Sequence, residues 1–164
     1  MTHNQTLSLF TAEELQIKKV PKYCIKLVTE AQVFYDGKKI SGASDIADFL
    51  KTTGLHEKAQ EEFYAIYLNT KNKIIGFEMV SRGTLNASLV HPRDVFKGAL
   101  LANAHAIILA HNHPSGDTEP SHADKSVTET LVKAGQLMNV EVLDHVIIGS
   151  NGSFFSFRDH SLIN

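Results

Sequence analysis

Ala106-Ile107-Ile108-Leu109-Ala110-His111-Asn112-His113-Pro114-Ser115-Gly116 is the stretch on which the fold turns. Five apolar residues in succession read as a strand buried on both faces. Pro114 holds His113 extended, and the loop from Ser115 to Pro120 turns the chain. A helix follows from Ser121 to Met138, with Val127, Leu131, Ala134 and Leu137 or Met138 on its inner stripe.

Moving upstream, Phe63-Tyr64-Ala65-Ile66-Tyr67-Leu68 is apolar at both parities and reads as a second buried strand. Asn69 to Lys73 turns the chain into a strand over Ile74–Ser81. Pro92 opens a helix whose apolar face is Val95, Phe96, Ala99, Leu100 and Ala102. Ahead of these, Ser44 caps a helix carrying Ile46, Ala47, Phe49 and Leu50, and Gly54 ends it. Downstream, Val140–Ile148 and Phe154–Phe157 pair across a Gly149-Ser150-Asn151-Gly152 turn. From Phe63 the order is β-β-α-β-α-β-β: an α/β (α+β) fold, a mixed sheet flanked by helices in a single domain over residues 44–164. Residues 1–43 are expected to form an extension packed on that core, with a strand at Tyr23–Val28 and a hairpin at Asp36-Gly37.

Composition narrows the function. The chain has 164 residues, enough for one domain with a core. A formal net charge of −2 gives no basic surplus for gripping nucleic acid by its phosphates, so DNA is not supported as a partner. One cysteine, Cys24, excludes both an internal disulfide and a multi-thiolate metal site, and reads as a small core residue. No apolar run is long enough to span a bilayer, and the first residues are not a signal peptide. A cytoplasmic protein is expected; nothing in the sequence sets an oligomeric state.

The chemistry is concentrated between His111 and Asp124. Strand period is two, so His111 and His113 leave the same face at the end of a strand. Asp124 lies three residues beyond the start of the following helix, where it can point back toward that strand end. Two neutral imidazoles and a carboxylate suit Zn²⁺, and three protein ligands leave a fourth position open, as in catalytic sites. Ser121-x-x-Asp124 also reads as a capping box, and the two readings are compatible, because a cap can position a ligand.

His-x-His, seven residues, Ser, two residues, Asp is the JAMM motif of MPN (JAB) domain metalloproteases, matched at every position. The surroundings Gly83-Thr84-Leu85-Asn86, His91-Pro92-Arg93 and Leu143-Asp144-His145 resemble the bacterial RadC-like branch of that family, from about Ser44 onward. The resemblance implies an MPN/JAB-like fold and a zinc-dependent peptidase or isopeptidase, with protein or peptide as substrate. It implies a glutamate that acts on water, matched here at Glu62-Phe63. Glu61, adjacent, points to the opposite face, and Glu78 is a competing position. It also implies that the Ser121 hydroxyl donates to an oxyanion. Longer RadC-like proteins carry a helix-hairpin-helix region that is not legible here, so a DNA-repair role stands as the alternative, beside a non-catalytic MPN scaffold. The remaining histidines are read mostly as structural: His105 and His122 as packed or solvated, and Asp144-His145 as a hydrogen-bonded structural pair, with a contact to the metal ligands as the alternative.

Overall fold

The structure is a computed structural model that describes residues 20–83 and 90–163. Residues 1–19 of the extension and the Thr84-Leu85-Asn86 part of the family resemblance lie outside the described residues.

Helix α1 covers Ala43–Thr53 and is followed by a short 3₁₀ turn, Leu55–Glu57. Then come β1 (Glu62–Leu68), β2 (Ile74–Arg82), α2 (Pro92–Leu101), β3 (Ala106–His113), α3 (His122–Met138), β4 (Glu141–Gly149) and β5 (Phe154–Ser156). The expected order from Phe63 onward holds. The sheet order is β2-β1-β3-β4-β5. Three of its pairings are antiparallel, and β3 with β4 is parallel, with α3 as the crossover. That crossover packs α3 on one face of the sheet and leaves the carboxyl end of β3 open to build a site.

Alternation along β1 and β3 divides the core in two. Phe63, Ala65 and Tyr67, with Ile107 and Leu109, pack with Val95, Phe96 and Ala99 of α2 and Val127 and Leu131 of α3. Tyr64, Ile66 and Leu68, with Ile108 and Ala110, pack with Ile46, Phe49 and Leu50 of α1. All seven residues of β1 are buried, which is why its sequence shows no polar parity. Gly135 lets α3 lie close on the start of β4: a Cβ there would stand 2.5 Å from the Val140 carbonyl.

Several local expectations need correction. Gly42, not Ser44, is the N-cap of α1, and the helix begins at Ala43; the C-cap at Gly54 is left-handed (φ 71°), as its identity requires. Of the two residues left open at the end of α3, Met138 packs on the core and Leu137 is exposed, because Val127, Leu131, Ala134 and Met138 share one stripe of the helix. Leu100 is also exposed. Residues 20–38 hold no strand. The turn at Asp36-Gly37 forms, with Lys38 N donating to Asp36 Oδ1 at 3.1 Å, but its arms do not pair with each other. Lys39 bridges to Lys73 instead, and Ile40 N donates to the Asn72 carbonyl at 2.8 Å. Cys24 is exposed, not a core residue.

Candidate metal centre

The end of β3 is built by alternation. Leu109 and His111 face α3, Ala110 and Asn112 face α1, and His113 returns to the α3 side. Phe63 is the register partner of His111, and the two rings stack with centroids 6.1 Å apart. Across the loop, Ser121 caps α3 in a full capping box: Asp124 N donates to Ser121 Oγ at 3.1 Å, and Ser121 N donates to Asp124 Oδ2 at 2.7 Å. The cap therefore fixes the Asp124 carboxylate in a position facing both imidazoles.

His111 Nε2 lies 3.4 Å from Asp124 Oδ1, and His113 Nε2 lies 3.7 Å from Asp124 Oδ2. The two Nε2 atoms are 3.0 Å apart. All three ligand atoms fall within 4.8 Å of one another, and they form the one such group among the described residues. His113 Nδ1 is held by the Asp117 carbonyl at 2.6 Å, so it carries the proton and leaves Nε2 as a bare lone pair aimed inward. Two ring nitrogens and a carboxylate oxygen crowded this closely repel unless a positive charge lies between them. The donor set, two imidazoles and a carboxylate with one open side, fits Zn²⁺.

The electrostatics agree. His111 is fully buried, and burial holds its pKa well below the ordinary value. His113 is raised, first by its hydrogen bond to Asp124 and against partial burial. Burial pushes Asp124 up, but His113, His111 and Ser121 overcome it and leave the carboxyl depressed. Without a metal, His113 is therefore the ring that takes a compensating proton.

Of the sequence-predicted residues, the structure brings His111, His113, Asp124 and Ser121 together. It does not bring Glu62. That side chain follows the parity of Tyr64, toward α1. Its Oε1 pairs with Arg82 Nε at 2.8 Å, and its Oε2 accepts from the Tyr64 hydroxyl at 3.1 Å. Glu62 is buried there, at 4% exposure, as an ion-pair residue on the far side of the strand. Glu61, one residue earlier, shares the parity of Phe63, and its charge reaches His113, raising that ring's pKa. The Ser121 hydroxyl donates to Asp124 Oδ2 at 2.5 Å, so in this state its proton serves the ligand carboxylate.

Two further residues touch the centre: His145, for which the sequence left a contact with the metal ligands open, and Thr128, which the sequence reading missed. His145 Nε2 lies 2.8 Å from His111 Nδ1, and His145 Nδ1 lies 2.6 Å from Thr128 Oγ1. His145 is fully buried, and its pKa is pushed down to about 3 by that burial. The expected Asp144–His145 hydrogen bond forms through the His145 backbone N, which donates to Asp144 Oδ1 at 2.7 Å; the Asp144 carboxylate also accepts from Ser156 Oγ and Arg158 N, while the His145 ring faces the other way. His105 and His122 are exposed and apart from the centre, in line with their structural reading. Thr128 carried a signal in the sequence: it lies four residues after Asp124, on the same face of α3.

A mixed α/β sheet with two histidines and an aspartate converging at one strand end defines the class. The RadC-like JAB domain model matches residues 40–162. The chain belongs to this RadC-like JAB domain family. A UPF0758 protein of Chlorobaculum tepidum is 50% identical over 125 residues, covering 76% of this chain and 55% of the relative. One from Symbiobacterium thermophilum is 55% identical over 103 residues, covering 63% and 44%. One from Methanosarcina mazei is 45% identical over 126 residues, covering 77% and 54%. The chain thus spans about half the length of the relatives it matches. No helix among the described residues is long and apolar enough to cross a membrane.

Proposed function

We propose that this chain is a zinc-dependent hydrolase of amide bonds, a peptidase or isopeptidase acting on a protein or peptide. The observation that carries the reading is the convergence of the His111 and His113 Nε2 atoms on a capped, buried Asp124 carboxylate. His111, His113 and Asp124 hold the ion. An ion bound there supplies Lewis acidity, making water nucleophilic near neutral pH and polarising a carbonyl.

The chain's own groups do the rest. Glu61, not Glu62, is the general base: it takes a proton from the attacking water and returns it to the leaving amine. Strand parity supports this assignment, since Glu61 shares the face of Phe63 and His111 while Glu62 is engaged with Arg82. The Ser121 hydroxyl turns from Asp124 to donate to the oxyanion of the tetrahedral intermediate. We place the work in the cytoplasm, on the free and exposed thiol of Cys24, which reducing compartments tolerate.

Metal analysis of the purified protein beside His113→Ala, followed by a screen of peptide and isopeptide substrates, tests the proposal. Stoichiometric zinc in the wild type, its loss in the variant, and metal-dependent cleavage are expected. A protein that binds no divalent ion would end the reading; one that binds zinc and cleaves no amide would end its hydrolytic half.

A further inference from the structure

We infer that Thr128 and His145 form a relay that locks the tautomer of His111, so that its Nε2 always faces the metal position as a lone pair. The relay rests on the metal reading above, and its geometry is a matter of counting protons. Three contacts run in series: Asp124 main-chain O to Thr128 Oγ1 at 2.5 Å, Thr128 Oγ1 to His145 Nδ1 at 2.6 Å, and His145 Nε2 to His111 Nδ1 at 2.8 Å. A carbonyl oxygen has no proton to give, so the first contact uses the only proton of the threonine hydroxyl. The second contact must then use a proton on His145 Nδ1. A neutral His145 is left with a bare Nε2, so the third contact must use a proton on His111 Nδ1. His111 Nε2 therefore carries no proton, and it is the atom 3.4 Å from Asp124 Oδ1.

Burial makes the assignment firm. His111 and His145 are 0% exposed and Thr128 is 2% exposed, so no water competes for these positions. Ring packing fixes the plane of His145, which stacks on Phe157 at 4.7 Å and meets Phe63 edge-on at 5.4 Å. The chain of bonds begins and ends on one residue: the carbonyl of Asp124 starts it, and the Asp124 carboxylate faces the nitrogen it sets free. Strand β4 thus supplies a positioning residue to a centre whose ligands come from β3 and α3. Asp117 does the same for His113 through a single backbone carbonyl.

Without the Thr128 hydroxyl, His145 is free to move its proton to Nε2 and donate to His111 Nδ1. The His111 proton is then forced onto the ligand atom, where it competes with the metal. Partners of metal-bound histidines typically change affinity by roughly 10 to 100-fold. Two measurements test the relay. Long-range ¹H–¹⁵N correlation spectra of the metal-free wild type near neutral pH should show His111 and His145 both protonated at Nδ1. Zn²⁺ titration should then show His145→Phe, which keeps the stack on Phe157, binding roughly 10 to 100-fold more weakly. Thr128→Val should lose about 10-fold and Thr128→Ser should restore it, with thermal unfolding of each metal-free variant recorded alongside.

If His145→Phe fails to fold, the valine and serine pair decides. A His111 protonated at Nε2 in the metal-free wild type overturns the relay. So does a Thr128→Val protein that binds Zn²⁺ as tightly as wild type, or a Thr128→Ser protein as weak as Thr128→Val. If the wild type binds no Zn²⁺ at all, the metal reading fails on its own, while the spectra still decide the tautomers.

Discussion

On the face of β3 covered by α2 and α3, the strand end presents His111 and His113; on the face covered by α1, the residue between them presents Asn112. The same division holds one strand over, where Glu61 lies on the histidine side and Glu62 on the asparagine side. The histidine side is a set of acceptors turned toward one another, which a metal ion, or a proton on His113, would satisfy. The asparagine side is closed: Asn112 Nδ2 donates to the Lys58 and Gln60 carbonyls at 3.0 and 3.1 Å, and its Oδ1 accepts from Glu62 N at 2.8 Å. Glu62 is likewise engaged with Arg82 and Tyr64. An unsatisfied constellation can bind a ligand, whereas a satisfied one holds the chain in place. Asn112 ties the approach to β1 to the end of β3, and so fixes the parity on which Glu61 depends.

The division can be broken most severely at the ligands. His111→Ala/His113→Ala should abolish stoichiometric metal binding, lowering affinity by several orders of magnitude, as read by metal analysis after dialysis. A double variant with full metal content would remove the histidine side from the argument. Next in size, Glu61→Gln should keep metal and fold while cutting hydrolysis by roughly 10² to 10⁴-fold. Full activity in Glu61→Gln would return the base to another residue.

On the closed side the expected effects are on stability. Asn112→Ala strips partners from the buried Glu62 N–H and from the Lys58 and Gln60 carbonyls at the surface, and should cost about 2 kcal/mol in chemical denaturation. A cost near zero would show that those groups find other partners. Ser121→Ala removes the cap of α3 and should cost about 1 kcal/mol, with some loss of metal affinity because Asp124 is then less well held. The smallest effect is expected at Glu62. Glu62→Gln keeps the amide close to Tyr64 and loses one ion pair to a half-exposed Arg82, so stability should move by about 1 kcal/mol or less. Its turnover should stay near wild type; a drop matching that of Glu61→Gln would erase the distinction between the two faces.

Much of the fold was legible because its strongest signals are local. The apolar runs at Phe63–Leu68 and Ala106–Ala110, the Pro92 helix start and the Ser121 cap each bias the chain within a few residues. The errors fall where local signals had no partner to meet. Tyr23–Val28 has the composition of a strand, but a strand exists only against another strand's edge, and residues 20–38 pair with none.

The sequence by itself pointed to the candidate metal ligands, because His111 and His113 lie two residues apart at the end of one strand and Asp124 lies in the first turn of the next helix. It also determined that Ser121 and Asp124 form a cap, which is a four-residue pattern. Only the tertiary structure separates the faces of Glu61 and Glu62, since adjacent residues in a strand differ solely in the face they take, and register sets that face. Only the tertiary structure placed His145 against His111, 34 residues away, because a parallel pairing of β3 with β4 leaves no local trace. The physical reason is common to both: short-range periodicity is written in neighbouring residues, whereas parity and register are fixed by burial against distant parts of the chain.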